Sequence, residues 1–228
     1  MRISSSEAIY EELKDQIIFL RLKPGEEISA SEISEKFDVS RSPVRDALMR
    51  LRAEGLVVMR PQRGCWVSKI DLSRVDDECF FRLALEKSVI DRYREYMKPS
   101  DITRLEYFIA LQKEAAEASD AVAFYNADDD MHAIFFEATK LTRIWNLVQR
   151  ETGNHRRVRI LSMGSKDVLE KNIAQHEELI EALRLKDFSL AVTLETEHLS
   201  KLKYQTDALI DEHPEYFMNR KEEYEIEQ

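Results

Sequence analysis

The sequence predicts a mostly α protein: an N-terminal winged helix-turn-helix with a small β-hairpin wing, then an all-α bundle of about six to seven helices. Three observations predict it. Only five glycines and five prolines punctuate 228 residues, so breaks are few and helices long. Apolar residues recur at three- and four-residue spacing along most of the chain. The exception is residues 56–67, where the period turns extended on both sides of a short Pro- and Gly-containing basic turn. The predicted units are residues 1–70, 71–213 and a charged tail, 214–228.

Within the first unit, Ile9, Leu13, Ile17 and Leu20 set one apolar stripe, predicting a helix from Glu7 to Arg21 that Lys23-Pro24-Gly25 ends. Ser29 followed by Glu32 reads as a capping box, and opens a short helix with Ile33 and Phe37 inward. Asp38-Val39-Ser40 turns the chain into a third helix. There Ser42 serves as the expected cap, with Pro43 at the first helical position, and Gly55 as the stop. Val44, Ala47, Leu48 and Leu51 share one face; Arg45, Met49 and Arg52 share another. An apolar inner face with arginines outward is what a helix entering a DNA major groove needs. Leu56–Met59 and Cys65–Val67 then read as two strands joined by Arg60-Pro61-Gln62-Arg63-Gly64, a wing whose Arg63 suits the negative minor groove.

Leu22-Lys23-Pro24-Gly25-Glu26, the run Ser40-Arg41-Ser42-Pro43-Val44-Arg45-Asp46-Ala47-Leu48, Glu54-Gly55-Leu56 and Arg63-Gly64 together resemble the winged-helix domain of the GntR family of bacterial transcription regulators. The resemblance covers nearly all of residues 5–69. It implies DNA contacts at Ser31, Ser40, Arg41, Ser42, Arg45, Arg63 and Gly64, with the two arginines of the R-x-P-V-R pattern reading guanine edges and phosphates.

Beyond the polar connection Lys69–Ser73 no convincing strand is predicted. Helices are expected over Val75–Met97, from a Ser100 cap to Ser119, Asp120–Thr139, Leu141–Thr152 with Gly153-Asn154 as its end, and His155–Met163. A sixth opens at Ser165 or Asp167 and runs to Leu185, and a seventh reaches Asp211 before Pro214. Asp128 and His132 lie four apart and leave one face, which Tyr125, Phe135 and Phe136 turn inward. His176 falls in the stripe of Ile173, Ile180 and Leu183, and His198 lies near Leu194 and Leu202. One carboxylate and three imidazoles suit a divalent first-row metal with positions left open. Spacing alone favours three unrelated histidines, each hydrogen-bonded in or near the core. His155 and His213 lack such settings.

Asp128-x-x-x-His132, then Gln175–Leu183 with Lys186-Asp187, then Glu197-His198-Leu199 resemble the FCD effector domain, the helical partner of the winged helix in the FadR branch of that family. In its metal-binding members these four positions hold zinc, nickel or manganese, so the resemblance implies Asp128, His132, His176 and His198 as ligands. Met131 stands where an aromatic residue is common, a departure that concerns packing. Arg82 and Glu86 resemble the family's R-x-x-x-E signature, whose Arg faces the effector cavity; a surface salt bridge between them fits the same spacing. Arg156, Arg157 and Arg159 crowd four positions, so most are expected at the surface.

The net charge is −10, but residues 40–69 carry +5, leaving −15 elsewhere: a local phosphate-binding patch on an acidic body. The chain shows neither an apolar run long enough to span a membrane nor a secretory leader, and Cys65 and Cys79 form no C-x-x-C, so the expected location is cytoplasmic. The expected function is a homodimeric, ligand-responsive repressor on a pseudo-palindromic DNA operator. By resemblance its effector is a small carboxylate, such as a sugar acid, hydroxy acid or other organic acid, completing the coordination of the metal. The rivals are a metal-dependent hydrolase or isomerase with a DNA head, and a DNA binder whose metal is purely structural. No carboxylate stands out in the sequence as a general base, which disfavours the enzyme.

Overall fold

The computed structural model describes residues 5–204 and 206–219. Arg220–Glu225, expected to be frayed or peripheral, lie outside the described residues. Eleven α-helices and one two-stranded sheet are present among the described residues.

The head comprises α1 (Ser5–Ile18), α2 (Ala30–Lys36), α3 (Arg41–Ala53) and a hairpin of β1 (Val57–Arg60) and β2 (Gly64–Val67). Its core joins Ile9, Leu13 and Ile17 of α1 to Ile33 of α2 and to Val44, Ala47, Leu48 and Leu51 of α3. α3 begins earlier than predicted. Ser40 occupies the cap position without a side-chain bond, and Pro43 sits third in the helix. Pro43 is still within the first turn, where its missing N–H is not needed. Ser29 does accept from the Glu32 amide (3.3 Å). Glu54 accepts from Tyr10 (2.5 Å) and pairs with Lys14 (2.8 Å), which ties α1 to the end of α3. Gly55 lies at φ +73°, a backbone conformation that favours glycine.

β1 and β2 pair antiparallel in the register Val57↔Val67 to Arg60↔Gly64. The chain at Gly25–Ile28, to which no strand is assigned in the sequence, also joins this sheet: Gly25 N donates to Val67 O (2.9 Å), Val67 N to Glu26 O (2.8 Å) and Ile28 N to Cys65 O (2.7 Å). The alternation of period 2 is too short there to be visible in sequence.

The remainder is α4 (Leu72–Tyr93), α5 (Pro99–Glu117), α6 (Ala121–Ala138), α7 (Thr142–Glu151), α8 (Gly153–Ser162), α9 (Lys166–Arg184), α10 (Phe188–Ser200) and α11 (Thr206–Glu212). Asp71 caps α4, accepting from the Ser73 and Arg74 amides (2.9 and 3.3 Å), so the helix starts three residues before the predicted Val75. Lys98, not Ser100, is the cap residue of α5, with Pro99 in its first turn. The predicted seventh helix is two: a 3-10 turn, Lys201–Tyr204, separates α10 from α11.

α8 lies between the two parts of the molecule. A Cβ on Gly153 would meet Leu56 Cδ2 at 2.7 Å, so glycine allows the head to close on α8. Phe19, just after α1, meets the Tyr125 ring edge-on at 5.7 Å. The expectation that most of Arg156, Arg157 and Arg159 are surface charge is wrong. Arg157 is fully buried and Arg159 8 % exposed. Packing on both sides of α8 leaves it little solvent face, and each guanidinium meets fixed acceptors. Arg157 donates to the Ser68 carbonyl (2.5 Å) and to Asn154 Oδ1 (2.7 Å); Arg159 pairs with Asp128 and with Asp129 (2.7 Å).

Candidate metal centre and DNA-facing surface

Asp128 and His132 project from α6, His176 from α9 and His198 from α10, and all four are buried. The bundle brings one donor atom of each within 4.8 Å of the others. His176 Nε2 lies 3.2 Å from His198 Nε2 and 3.6 Å from Asp128 Oδ1, and His132 Nε2 lies 3.8 Å from Asp128 Oδ2.

The other edge of each ring is held. His176 Nδ1 is 2.8 Å from Gln112 Oε1, whose amide nitrogen reaches the Met131 sulfur at 3.8 Å. Met131 therefore supports the residue that orients a candidate ligand. His198 Nδ1 is 3.2 Å from Gln175 Oε1, with Lys201 Nζ at the same distance. His132 Nδ1 lies 2.7 Å from Glu86 and 3.1 Å from Glu195. Such partners fix a histidine tautomer and raise its basicity toward a metal. Burial would lower the His132 imidazole, but Glu86 and Glu195 outweigh it and raise it to about 10. His176 is pushed down to about 3, chiefly by burial. Burial raises the Glu195 carboxyl; for Glu86 burial is outweighed by Arg82 and His132, which hold it low.

A divalent cation fits this donor set. Three imidazoles and a carboxylate are borderline ligands for zinc or a neighbouring first-row metal. His132 Nε2 is buried with no hydrogen-bond partner. Around the centre four buried acids (Glu86, Glu195, Asp128, Asp129) face two buried arginines (Arg82, Arg159). Glu86 and Glu195 hold His132 protonated and Lys201 stands at the cavity wall, so a dication enters by displacing protons, not by filling an uncompensated negative charge.

Arg82 is 2 % exposed, not at the surface. Its Nε donates to Glu86, and its Nη2 is buried without a hydrogen-bond partner. It lines a cavity beside Asp128, His198, His155, Arg159 and Lys201. Spacing and resemblance offered two alternatives, and the structure combines them: a salt bridge, but buried, with the guanidinium at the cavity wall. The free space is about 30 Å³, room for a water or two. His155, set aside in the sequence, is 3 % exposed and faces the same cavity, as do Lys201 and Asn172. Its signal was helical spacing: His155, Arg159 and Ser162 stand at i, i+4 and i+7 of α8. His213 stacks on Tyr216 at 5.1 Å, away from the cluster. Glu86 and Glu195 are carboxylates beside the centre, but they stand at the Nδ1 edge of His132, away from the converging Nε2 atoms.

On the head, Ser31, Ser40, Arg41, Ser42, Arg45, Arg63 and Gly64 are all exposed. Arg41 and Arg45 stand one turn apart on α3, and Arg63 and Gly64 at the tip of the hairpin. Arg50 is different: it pairs with Glu7 (2.6 Å) and covers the Tyr10 ring at 3.7 Å. No described helix is long and apolar enough to cross a membrane.

Residues 5–67 match the family of bacterial regulatory proteins, gntR family, and residues 79–201 match the FCD domain. The chain is 29% identical over 212 residues to the HTH-type transcriptional repressor RspR of Escherichia coli K12, covering 93% of each. Among solved structures it superposes on Escherichia coli McbR/YncC with a TM-score of 0.78 at 19% identity, covering 93% of this chain and all of that one. A GntR-type transcriptional regulator from Rhodococcus sp. RHA1 gives a TM-score of 0.71 at 21% identity, covering 88% of this chain and 96% of that one. At such identities these two likenesses concern the fold.

Proposed function

This chain belongs to the GntR family of DNA-binding transcriptional regulators, with an FCD domain behind its winged helix, and from that premise we propose a homodimeric repressor that senses a small carboxylate at a metal centre. In this reading residues 1–70 read DNA, residues 71–213 sense and dimerise, residues 214–228 form a tail, and the protein works in the cytoplasm. Relatives named as transcriptional regulators point away from an enzyme.

The observation that carries the sensory reading is the joint burial of the Asp128/His132/His176/His198 set and the Arg82 guanidinium at one cavity. The four residues would hold zinc, nickel or manganese. Once bound, the metal supplies a Lewis-acid position for a carboxylate. Arg82, with Arg159 and His155, gives the anion its further partners. The free space is too small for an organic acid as it stands, so binding must displace side chains. A ligand that binds one arrangement better than another shifts the balance between them. Melting with and without chelator, across a panel of organic acids, tests this reading.

Glu195→Gln keeps the shape beside His132 but removes a charge. It is expected to weaken zinc binding by about 10- to 100-fold, measured by competition with a chromogenic chelator. Unchanged affinity would show that the carboxylate does not tune His132.

Homodimerisation is supported by α4. Phe80 is 74 % exposed, with Ala84 exposed one turn after it on the same face. Phe80→Glu is expected to raise the dimer dissociation constant at least about 30-fold, the equivalent of roughly 2 kcal/mol for a buried aromatic anchor. Light scattering across a dilution series reads it, and a variant as dimeric as the parent would place the interface elsewhere.

A further inference from the structure

Residues 206–218 lie beyond the residues that match the FCD domain, and none of them lines the cavity beside the metal centre. Its described end runs back to the connection between head and bundle. Ile70 N donates to Tyr216 O (2.8 Å) and Met218 N donates to Ile70 O (2.9 Å), so Phe217 pairs with Ile70 as a one-residue parallel bridge. Both side chains are buried: Ile70 fully, Phe217 to 3 % exposure. They belong to a third apolar cluster, with Val75 of α4, Val158 of α8, Leu202 of the 3-10 turn and Leu209 of α11.

The same four connecting residues are gripped twice more. The Ser68 carbonyl accepts from the buried Arg157, and the Asp71 amide donates to Asn154 Oδ1 (3.1 Å). Asn154 is itself anchored, donating to Glu78 Oε1 (2.9 Å). A polar connection with no contacts would act as a swivel. This one is immobilised on one side by α8 and on the other by residues 206–218. α8 and Leu202 also line the cavity, so the clamp and the cavity share walls.

We propose that residues 206–218 are a strap that locks the connection Ser68–Asp71 and thereby holds the DNA-reading head in the attitude needed for operator binding. This rests on the reading of the chain as a two-headed DNA binder. Two heads reach successive grooves only at one spacing and angle. A head freed to swivel loses that preorganisation, and the orientational freedom removed on binding then counts against affinity.

Two variants of the full chain test it. Phe217→Ala removes the apolar anchor. Met218→Pro removes the N–H donated to Ile70, together with the half-buried Met218 side chain, at a position whose preceding residue is already extended (φ −99°, ψ 149°) and so tolerates proline. The DNA is a duplex that the parent chain itself enriches from a randomised pool. Both variants are expected to keep parental helicity and zinc content, to lose amide-exchange protection at Ile70, and to bind the duplex about tenfold more weakly. Phe217→Leu is expected to restore most of the loss. Folded, zinc-loaded variants that bind with parental affinity overturn the strap. So does a Phe217→Ala chain whose only change is a lower melting midpoint, which would make the cluster structural alone. Failure of the parent to enrich any duplex would instead remove the two-headed reading, and the strap's role with it. Indifference of the parent's DNA affinity to zinc and chelator, with both variants still weakened, removes the sensory reading and leaves the strap in place.

Discussion

Arg45→Ala is expected to lower affinity for the selected operator by about 5- to 150-fold, the range for losing one bidentate arginine contact worth roughly 1–3 kcal/mol. The expectation rests on position and on what the side chain does not do elsewhere. Arg45 is exposed on α3, whose opposite face is sealed by Val44, Ala47, Leu48 and Leu51. Arg41 precedes it by four residues, so both forks point from one turn of the helix. Among the described residues neither has a hydrogen bond or ion pair. Truncation therefore removes nothing from the fold, and alanine is the better helix former. The melting midpoint should stay within a degree or so while binding collapses. Arg50 is the internal comparison on the same helix. It is spent on Glu7 and Tyr10, so its loss should be felt in stability and not in which bases are preferred. Fluorescence anisotropy at two salt concentrations separates the contributions: a base-reading arginine relaxes sequence preference, whereas a phosphate contact mainly flattens the salt dependence. An Arg45→Ala protein with parental affinity at moderate salt would remove α3 from the groove.

How much of this was legible in the sequence depends on whether the cause is local. The α3 stripe and the wing are legible because each is written in short spacings: a period near 3.6 and a Gly-containing basic turn. Asp128 and His132 likewise form an i, i+4 pair, whereas His176 and His198 join them only through the resemblance to the FCD domain. Three features were not. α8 carries three arginines in four residues, and composition places such a run at the surface. Their burial depends on Ser68, Asp128, Asp129 and Tyr125, which are distant in sequence. The break at Lys201 has no proline or glycine to announce it; there Lys201 turns back to Asn172 and Gln175 on α9. The Ile70–Phe217 bridge joins residues far apart and is too short to carry alternation. The cap of α3 was misplaced for the opposite reason. Ser40 and Ser42 are both good cap residues beside one proline, and the local signal is degenerate.

The second large effect concerns the metal. Zinc at about a hundred times its dissociation constant is expected to stabilise the parent chain by roughly 2.7 kcal/mol. For a chain of this size that raises the melting midpoint by about 5–10 °C. A chelator should reverse it. His176→Ala should abolish the zinc-dependent difference whatever it does to the metal-free midpoint. That difference is the quantity to read, because His176 is fully buried and its truncation also opens a cavity. The imidazole contributes twice, through Nε2 toward His198 and Asp128 and through Nδ1 to Gln112, so no other side chain can replace it by a simple rotation. Carboxylates added to the same melts then divide the readings. An acid whose effect needs zinc completes the coordination, with Arg82 as its second anchor. An acid that acts equally in the presence of chelator is held by Arg82 and Arg159 alone, and the metal is then structural. If neither zinc nor chelator moves the midpoint, the buried carboxylates are balanced by Arg82, Arg159 and a protonated His132, and the effector reading must rest on the arginines without a metal.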